Sequence, residues 1–480
     1  MNCSACRNFY FLSFLFPTIL LFADQNSTSQ PDFSSHAVKK ILVKEEVAKT
    51  NPPLSPNFHK EVRPILETAC IECHGITKQK GGLRLDTLAY HLKGGDSGPA
   101  IIPGNFADSI LLERISLPET DDEIMPPEEG PLTQKEQDIL KRWIITGAKW
   151  PKGIQLFPLS KEDLALRQKA ESKKLIELKV HPTQVNLTTT KDFNSFVVVA
   201  KYDDDVTRDV TKESSLSLSN NEVASMNNLV ISPIKDGESK LKVSFQNLTA
   251  ELSIKVKDAQ TERPVSFNLD VMPVFLKAGC NTGSCHGSAR GQDRFMLSLF
   301  GYDAKGDHYR ITREQGTRRI NLAIPEESML VEKAIAAVPH TGGKLFEKNS
   351  KHWHTLVNWL KRGAPEDPKD IAKPTDIELL PKSLLLEGKG AKQQMIVIAH
   401  YSDGSSRDIT SLAVFQTNND VTAKVDKNGL ITAHKRGEAF ITARFDIFTK
   451  GTQLIVIPED LKYQKPELST NNYIDQLVYN

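Results

Sequence analysis

Hydrophobic spacing along this chain switches between two periods. Between Phe58 and Lys152, Val62, Ile65, Leu66 and Ala69 recur at helical spacing, predicting one apolar helix face that ends at Cys70. Leu132, Ile139, Leu140, Trp143 and Ile144 predict a second amphipathic helix, with Thr133 and Glu136 spaced as a capping box and Gly147 closing it. Residues 160 to 175 are charged and Lys-rich and predict a short linking helix. From Ile176 the pattern alternates. Leu178–Val180, Phe196–Ala200, Leu241–Phe245 and Leu252–Val256 read as strands separated by turn residues, which predicts an all-β sandwich.

After Glu262-Arg263-Pro264 the pattern returns, with a period of about 200 residues. Val62-x-Pro64 is answered by Val271-x-Pro273. The segment from Pro103 through Ser109 to Arg114 is answered by Pro325 through Ser328 to Lys333, and Trp143…Gly147-Ala148 by Trp359…Gly363-Ala364. In the β regions, Tyr202 and Arg208-Asp-Val-Thr211 correspond to Tyr401 and Arg407-Asp-Ile-Thr410, followed by Asn220-Asn221 and Asn418-Asn419. The predicted fold is therefore multidomain α plus β, with two small helical domains alternating with two β-sandwiches, which the resemblance given below makes Ig-like. The expected order is a signal peptide over 1–23, a flexible linker over 24–55, helical domain 1 over 56–155, a linker helix over 156–175 and Ig-like domain 1 over 176–258. Helical domain 2 follows over 264–370, Ig-like domain 2 over 375–458 and a tail over 459–480. In the tail, Ile474, Leu477 and Val478 share a helical face, which reads as the start of a further domain or a docking tail.

Length and composition fit this picture: 480 residues, 39% hydrophobic and 25% charged, at a formal net charge of +1. That charge, and the lack of a basic block interleaved with aromatics, argue against a nucleic-acid partner. The apolar run Phe9 to Phe22 follows Arg7 and precedes Ala23, which reads as a secretory signal rather than a membrane span. Export, to the periplasm or cell surface with no membrane span after cleavage, is the expected location.

The chemistry concentrates in the cysteines. Apart from Cys3 and Cys6 near the N-terminus, they form two pairs, each followed by histidine: Cys70-Ile-Glu-Cys73-His74 and Cys280-Asn-Thr-Gly-Ser-Cys285-His286. C-x-x-C-H is the attachment pattern of c-type haem, in which both thiols bond the vinyl groups and the histidine reaches the iron. A redox C-x-x-C or a zinc half-site are the competing readings of the first pair. The second has a longer gap but falls at the corresponding place in the repeat; a small-loop disulfide or zinc compete there. Two c-type haems are thus expected.

Met125, in Ile124-Met-Pro-Pro127, is the expected sixth ligand of the first iron, because a thioether is a soft ligand and the prolines stiffen its loop. His91 is the competitor. His340, in Val338-Pro-His-Thr-Gly-Gly343, takes that place in the second copy, with His308, His352 and His354 as competitors. Thioether ligation favours reduced iron more than imidazole does, so the Cys280 haem is expected at the lower potential.

These residues carry a resemblance. The Cys70 region, with the Met125-Pro-Pro loop and the closing Trp143…Gly147-Ala148, resembles the planctomycete-type cytochrome c domain. The run from Gly279 to Gly287, with Leu297–Asp303 and Pro339–Gly343, resembles the second cytochrome-like region of the same large proteins. The β regions are similar to group 2 bacterial Ig-like domains, and Asn472–Leu477 resembles the first helix of a domain that follows in those proteins. The resemblance implies an exported planctomycete cytochrome and the N-terminal portion of a larger multidomain protein. It supplies no known reaction.

The expected function is electron transfer by an exported dihaem c-type cytochrome, with the Ig-like domains as spacing and docking modules and redox partners that the residues do not name. No hydrolytic triad is present, and Asp121, Asp122 and Glu123 read as a solvated or partner-docking patch, so an electron carrier is favoured over an enzyme. The alternatives are a dihaem peroxidase, or a surface protein making cell-surface or glycan contacts through its Ig-like domains with ancillary haem domains.

Overall fold

The first apolar stripe forms the helix it predicts. Phe58–Val62 makes a wide π-turn that runs into the helix Arg63–Ala69, and Phe58, Val62, Ile65 and Leu66 are buried. Pro64 is tolerated at its first turn, where no backbone donor is needed. Cys70 ends it, its N–H donating to the Leu66 carbonyl at 2.9 Å. The computed structural model describes residues 54–128, 130–459, 461 and 471–479; the predicted signal and almost all of the linker after it lie outside the described residues.

The closing helix is Gln134–Ile145. Its capping box is complete: Thr133 Oγ1 accepts the Glu136 N–H at 3.3 Å, and the Glu136 carboxylate accepts the Thr133 N–H at 2.9 Å. The chain then turns through two left-handed residues, Gly147 (φ 94°) and Ala148 (φ 49°), which brings the Lys149 carbonyl to the indole N–H of buried Trp143 at 3.1 Å. The second copy repeats this with Gly363 (φ 86°), Ala364 (φ 52°) and Trp359, whose indole donates to Pro365 at 3.0 Å. The repeated Trp…Gly-Ala motif is thus a turn. Glycine supplies the positive φ, and alanine fills the space at the helix end with the smallest side chain.

Both β regions are sandwiches of the same topology. In the first, Leu175–His181 pairs with Val197–Tyr202, which pairs with Thr207–Asp209. Facing it, Gln184–Leu187 runs parallel to Leu248–Val256, followed by Gly237–Phe245 and Ser215–Leu218. Asn194–Ser195, Val230–Pro233 and Ala224–Asn227 make a small third sheet. The second sandwich has the same three sheets, strand for strand, between Pro374 and Ile457. Each encloses its own core, around Val198, Leu241 and Ile254 in one and Val397, Ile441 and Leu454 in the other.

The sandwiches do more than space the helical modules. Val197, Val199, Leu380, Ile396 and Ile398 form a shared apolar cluster between them. Around it the polar contacts are reciprocal. Asp209 accepts the Gln394 N–H at 3.0 Å, and its repeat equivalent Asp408 accepts the Ser195 N–H at 2.7 Å. Each carboxylate also accepts the N–H of the threonine two residues on, Thr211 at 3.0 Å and Thr410 at 2.9 Å. Those threonines accept the Val198 and Val397 N–H groups at 2.8 and 2.9 Å. Two copies meeting through equivalent residues is the geometry of a twofold dimer, built here within one chain. The Arg-Asp-x-Thr repeat motif therefore carries this interface. Asp209→Ala should cost about 1–3 kcal/mol, because it strands backbone donors of both sandwiches. Denaturant unfolding would show it, and a change within about 0.5 kcal/mol would place the adhesion elsewhere.

The helical modules are clamped to this pair. The Glu67 carboxylate lies between the buried guanidiniums of Arg63 and Arg167 at 2.9 and 2.7 Å. Arg63 also donates to the Lys212 and Glu213 carbonyls of the first sandwich. Arg167 lies on the predicted linking helix, Lys161–Ala170, and Asp163 of the same helix pairs with Lys392 of the second sandwich at 2.7 Å. In the second module Leu269 enters the core of the second sandwich, and Lys277 donates to the Ala413 and Lys427 carbonyls. In the tail, Tyr473–Tyr479 is helical, with Ile474 and Leu477 exposed.

Candidate functional site

The two cysteine motifs occupy equivalent positions, each just after the N-terminal helix of its module. In the first, the His74 N–H donates to the Cys70 carbonyl at 3.0 Å; in the second, the His286 N–H donates to the Cys280 carbonyl at 3.0 Å. The two extra residues between Cys280 and Cys285 thus bulge out, and the histidine keeps its relation to the first cysteine. Downstream the copies stay in step: Leu85 N–H reaches the His74 carbonyl at 2.7 Å, and Leu297 N–H reaches the His286 carbonyl at 2.8 Å.

Both histidines are half-buried, and burial lowers their pKa values. Backbone carbonyls oppose that effect: Leu83 and Lys80 at His74, Phe295 and Gln292 at His286. Leu83 and Phe295 are each nine residues beyond their histidine, but among the described residues only His286 completes the hydrogen bond, the buried His74 Nδ1 having no partner within bonding distance. The His286 Nδ1 lies 2.9 Å from the Phe295 carbonyl, which selects the tautomer with the proton on Nδ1 and leaves Nε2 as the free lone pair. No sequence signature could have marked these carbonyls, because any residue supplies one; only the equal spacing in the two copies hints at them.

Burial pushes the Cys70 and Cys280 thiols up to about 12. Thiol–disulfide exchange needs a readily formed thiolate, so this environment opposes a redox C-x-x-C. Cys70, Cys73, Cys280 and Cys285 are all free, and among the described residues no group of three or more His, Cys, Asp or Glu side chains is arranged to hold a metal ion.

In the second module a cavity of about 590 Å³ opens between Cys280 and His286 on one side and His340 on the other, with Phe275, Leu297 and Phe346 among its apolar walls. That volume lies in the range of cofactor pockets. The His286 and His340 rings are 6.4 Å apart, centroid to centroid, and only 6° from parallel. Two imidazoles sharing one metal at about 2 Å from each nitrogen have centroids roughly 6 Å apart. The His340 Nδ1 is engaged by the Gly343 carbonyl at 3.0 Å, so its Nε2 is also free. A Cβ on Gly342 would come within 2.9 Å of the His340 ring, which explains the glycine. The Cys280 thiol on the cavity wall, with Cys285 in the same loop, two unengaged imidazole nitrogens and apolar walls fit a covalently attached haem.

In the first module Cys70 and Met125 pack against the same core. The Met125 N–H donates to the Arg114 carbonyl at 3.1 Å, Arg114 pairs with Glu123, and Glu128 pairs with Lys80, in the loop that follows His74, at 3.7 Å. The methionine loop is thus pinned to the loop of the proximal histidine. Glu123, expected in a solvated or partner-docking patch, is exposed and also pairs with Arg114.

The competing histidines have other roles. His91 is fully buried between Trp143 and Trp150, with centroids 5.9 and 5.3 Å away, and its Nδ1 engages the Thr87 carbonyl. His308 takes the matching position against Trp359 and Phe267, its Nε2 engaging the Ala364 carbonyl at 2.9 Å. His352 and His354 lie on the helix Lys351–Lys361. His352 is partly buried toward Lys277 and Ser411 rather than on the open surface, and His354 is exposed.

Residues 70–129 match the family described as planctomycete cytochrome C. The segment spans Cys70, Cys73, His74 and Met125, so the part of the chain that holds the first cysteine motif is similar to a cytochrome c domain, a haem-binding kind of domain. No curated protein matches the chain. Among solved structures, domains 5-6 of the S-layer protein SbsC align with 59% of this chain and 99% of their own length, at 11% identity and a TM-score of 0.23. The longer S-layer protein rSbsC(31-844) aligns with 59% of this chain and 28% of its own, at 10% identity and a TM-score of 0.16. The neural ectodermal development factor IMP-L2 aligns with 59% of this chain and 94% of its own, at 11% identity and a TM-score of 0.20. At these scores the sandwich assignment rests on the strand pairing described above. Among the described residues no helix is long and apolar enough to cross a membrane.

Proposed function

We propose that this chain is an exported dihaem c-type cytochrome that transfers electrons, and that its two haems are unlike. Cys70 and Cys73 would hold the first through thioether bonds, with His74 and Met125 as axial ligands. Cys280 and Cys285 would hold the second, with His286 and His340. When bound, the haem supplies one-electron exchange between ferrous and ferric iron. The chain's own residues do the rest. The Phe295 and Gly343 carbonyls fix the tautomers of His286 and His340, the apolar walls exclude water, and the paired sandwiches hold both modules in one frame. The observation that carries the reading is the parallel His286–His340 pair across a cavity lined by Cys280. Export follows from the Phe9–Phe22 run, which lies outside the described residues, and from the chemistry of the thioether bond.

Potentiometric titration of the holoprotein should resolve two one-electron steps, the bis-histidine haem being lower, with no turnover of hydrogen peroxide by the reduced protein. One shared potential would remove the claim of unlike ligation. Rapid peroxide turnover would move the protein to the peroxidase class.

A further inference from the structure

The cavity in the second module has an uneven charge. Arg294, Arg318, Arg319 and Lys333 line it, and Asp293 is the only carboxylate among its lining residues. Among the described residues, Arg294, Arg318 and Lys333 have no ion-pair partner. Arg319 differs, being 7% exposed and paired with Glu314 at 3.8 Å. Its guanidinium lies 4.4 Å from the centroid of the Phe295 ring, and Nη1 donates to the Arg310 carbonyl. Nη2 reaches the Arg294 carbonyl at 3.5 Å, so Arg294 and Arg319 are neighbours on one wall. Phe295 in turn packs on the His286 ring at 4.7 Å and receives its Nδ1. A cavity with apolar walls and unpaired cations among its lining suits a flat apolar ligand that carries carboxylates. Arg294 and Arg318 are exposed and Lys333 is partly buried, so all three can close on an anion held in the cavity.

We propose that Arg294 and Arg318 bind the two propionate carboxylates of the second haem, with Lys333 adding to the field, and that Arg319 positions Phe295 beneath His286. This rests on the presence of a haem at Cys280 and Cys285, and assigns the orientation in which that haem sits. It also sets a second control on its potential. Cations near the iron favour the ferrous state, opposing the effect of two imidazoles. Arginine pairing holds the propionates ionised, so they take up no proton when the iron is reduced.

The test uses the full chain matured with haem, comparing wild type with the Arg294→Gln, Arg318→Gln double variant. Denaturing intact mass counts covalent haems, and potentiometric titration between pH 5 and pH 8 reads the couples. The proposal expects an unchanged haem count, a lower midpoint for the second haem, and a pH slope for it that rises toward one proton per electron. The first haem should not move, Arg318→Lys should restore most of the midpoint, and Arg313→Gln, outside the cavity lining, should behave as wild type. Two haems with a midpoint and pH slope unchanged in the double variant overturn the propionate assignment alone. A single haem in the wild type overturns the dihaem reading, and this assignment with it.

Discussion

Histidine in place of Met125 should lower the midpoint potential of one haem, on the order of 100 mV, and leave the other unmoved. A thioether is a weak donor that favours ferrous iron, whereas imidazole stabilises the ferric state. The exchange is a fair one because the loop is held independently of the side chain. The Met125 N–H is bound to Arg114, Arg114 to Glu123, and Glu128 to Lys80. The variant would then carry two bis-histidine haems, and the gap between the titration steps should narrow or close. Optical potentiometry of both proteins checks this. A first haem whose potential stays the same would mean that Met125 covers the haem without touching the iron.

Acidification should destabilise the first module through His91. This ring is fully buried between Trp143 and Trp150, and burial pulls its pKa down to about 4 from an ordinary 6.5. Thr87 and Asp86 oppose the fall without cancelling it. The fold thus favours the neutral imidazole. The stability linked to that preference is complete above pH 6.5 and is lost as pH falls toward 4, reaching about 3 kcal/mol. His59, His74 and His181 are shifted the same way, so wild type alone cannot isolate the effect. His91→Phe keeps an aromatic ring between the tryptophans and removes the titration. Denaturant unfolding at pH 7 and pH 4.5 should show a smaller acid loss for this variant than for wild type. Equal losses would mean that the His91 ring reaches water in solution.

The helices Arg63–Ala69 and Gln134–Ile145 and the main strands were legible because each carries a strong period. The Thr133–Glu136 box and the Trp…Gly-Ala turns mark boundaries by local chemistry, and the structure keeps them. The short strands Asn194–Ser195, Thr207–Asp209 and Ala224–Asn227 were not legible, since runs so brief and polar show no alternation. The Arg-Asp-x-Thr motif was visible as a repeat, but its role was not, because its partner residues lie about 200 residues away in sequence. At the candidate site the candidate residues Cys70, Cys73, His74, Cys280, Cys285 and His286 stand out in the sequence by adjacency. The pairing of His340 with His286 was readable only from the alignment of copies, and the cations around that cavity were not, because Arg294, Arg318 and Lys333 come from separate segments that only the fold brings together.

The most direct measurement is the intact mass of the full chain, produced with c-type haem maturation machinery and read under denaturing conditions that strip any haem not covalently bound. The account predicts the polypeptide plus two haems, falling to one in Cys70→Ser, Cys73→Ser and to one in Cys280→Ser, Cys285→Ser. A single haem in wild type, unaffected by the Cys280 and Cys285 substitutions, would contradict it.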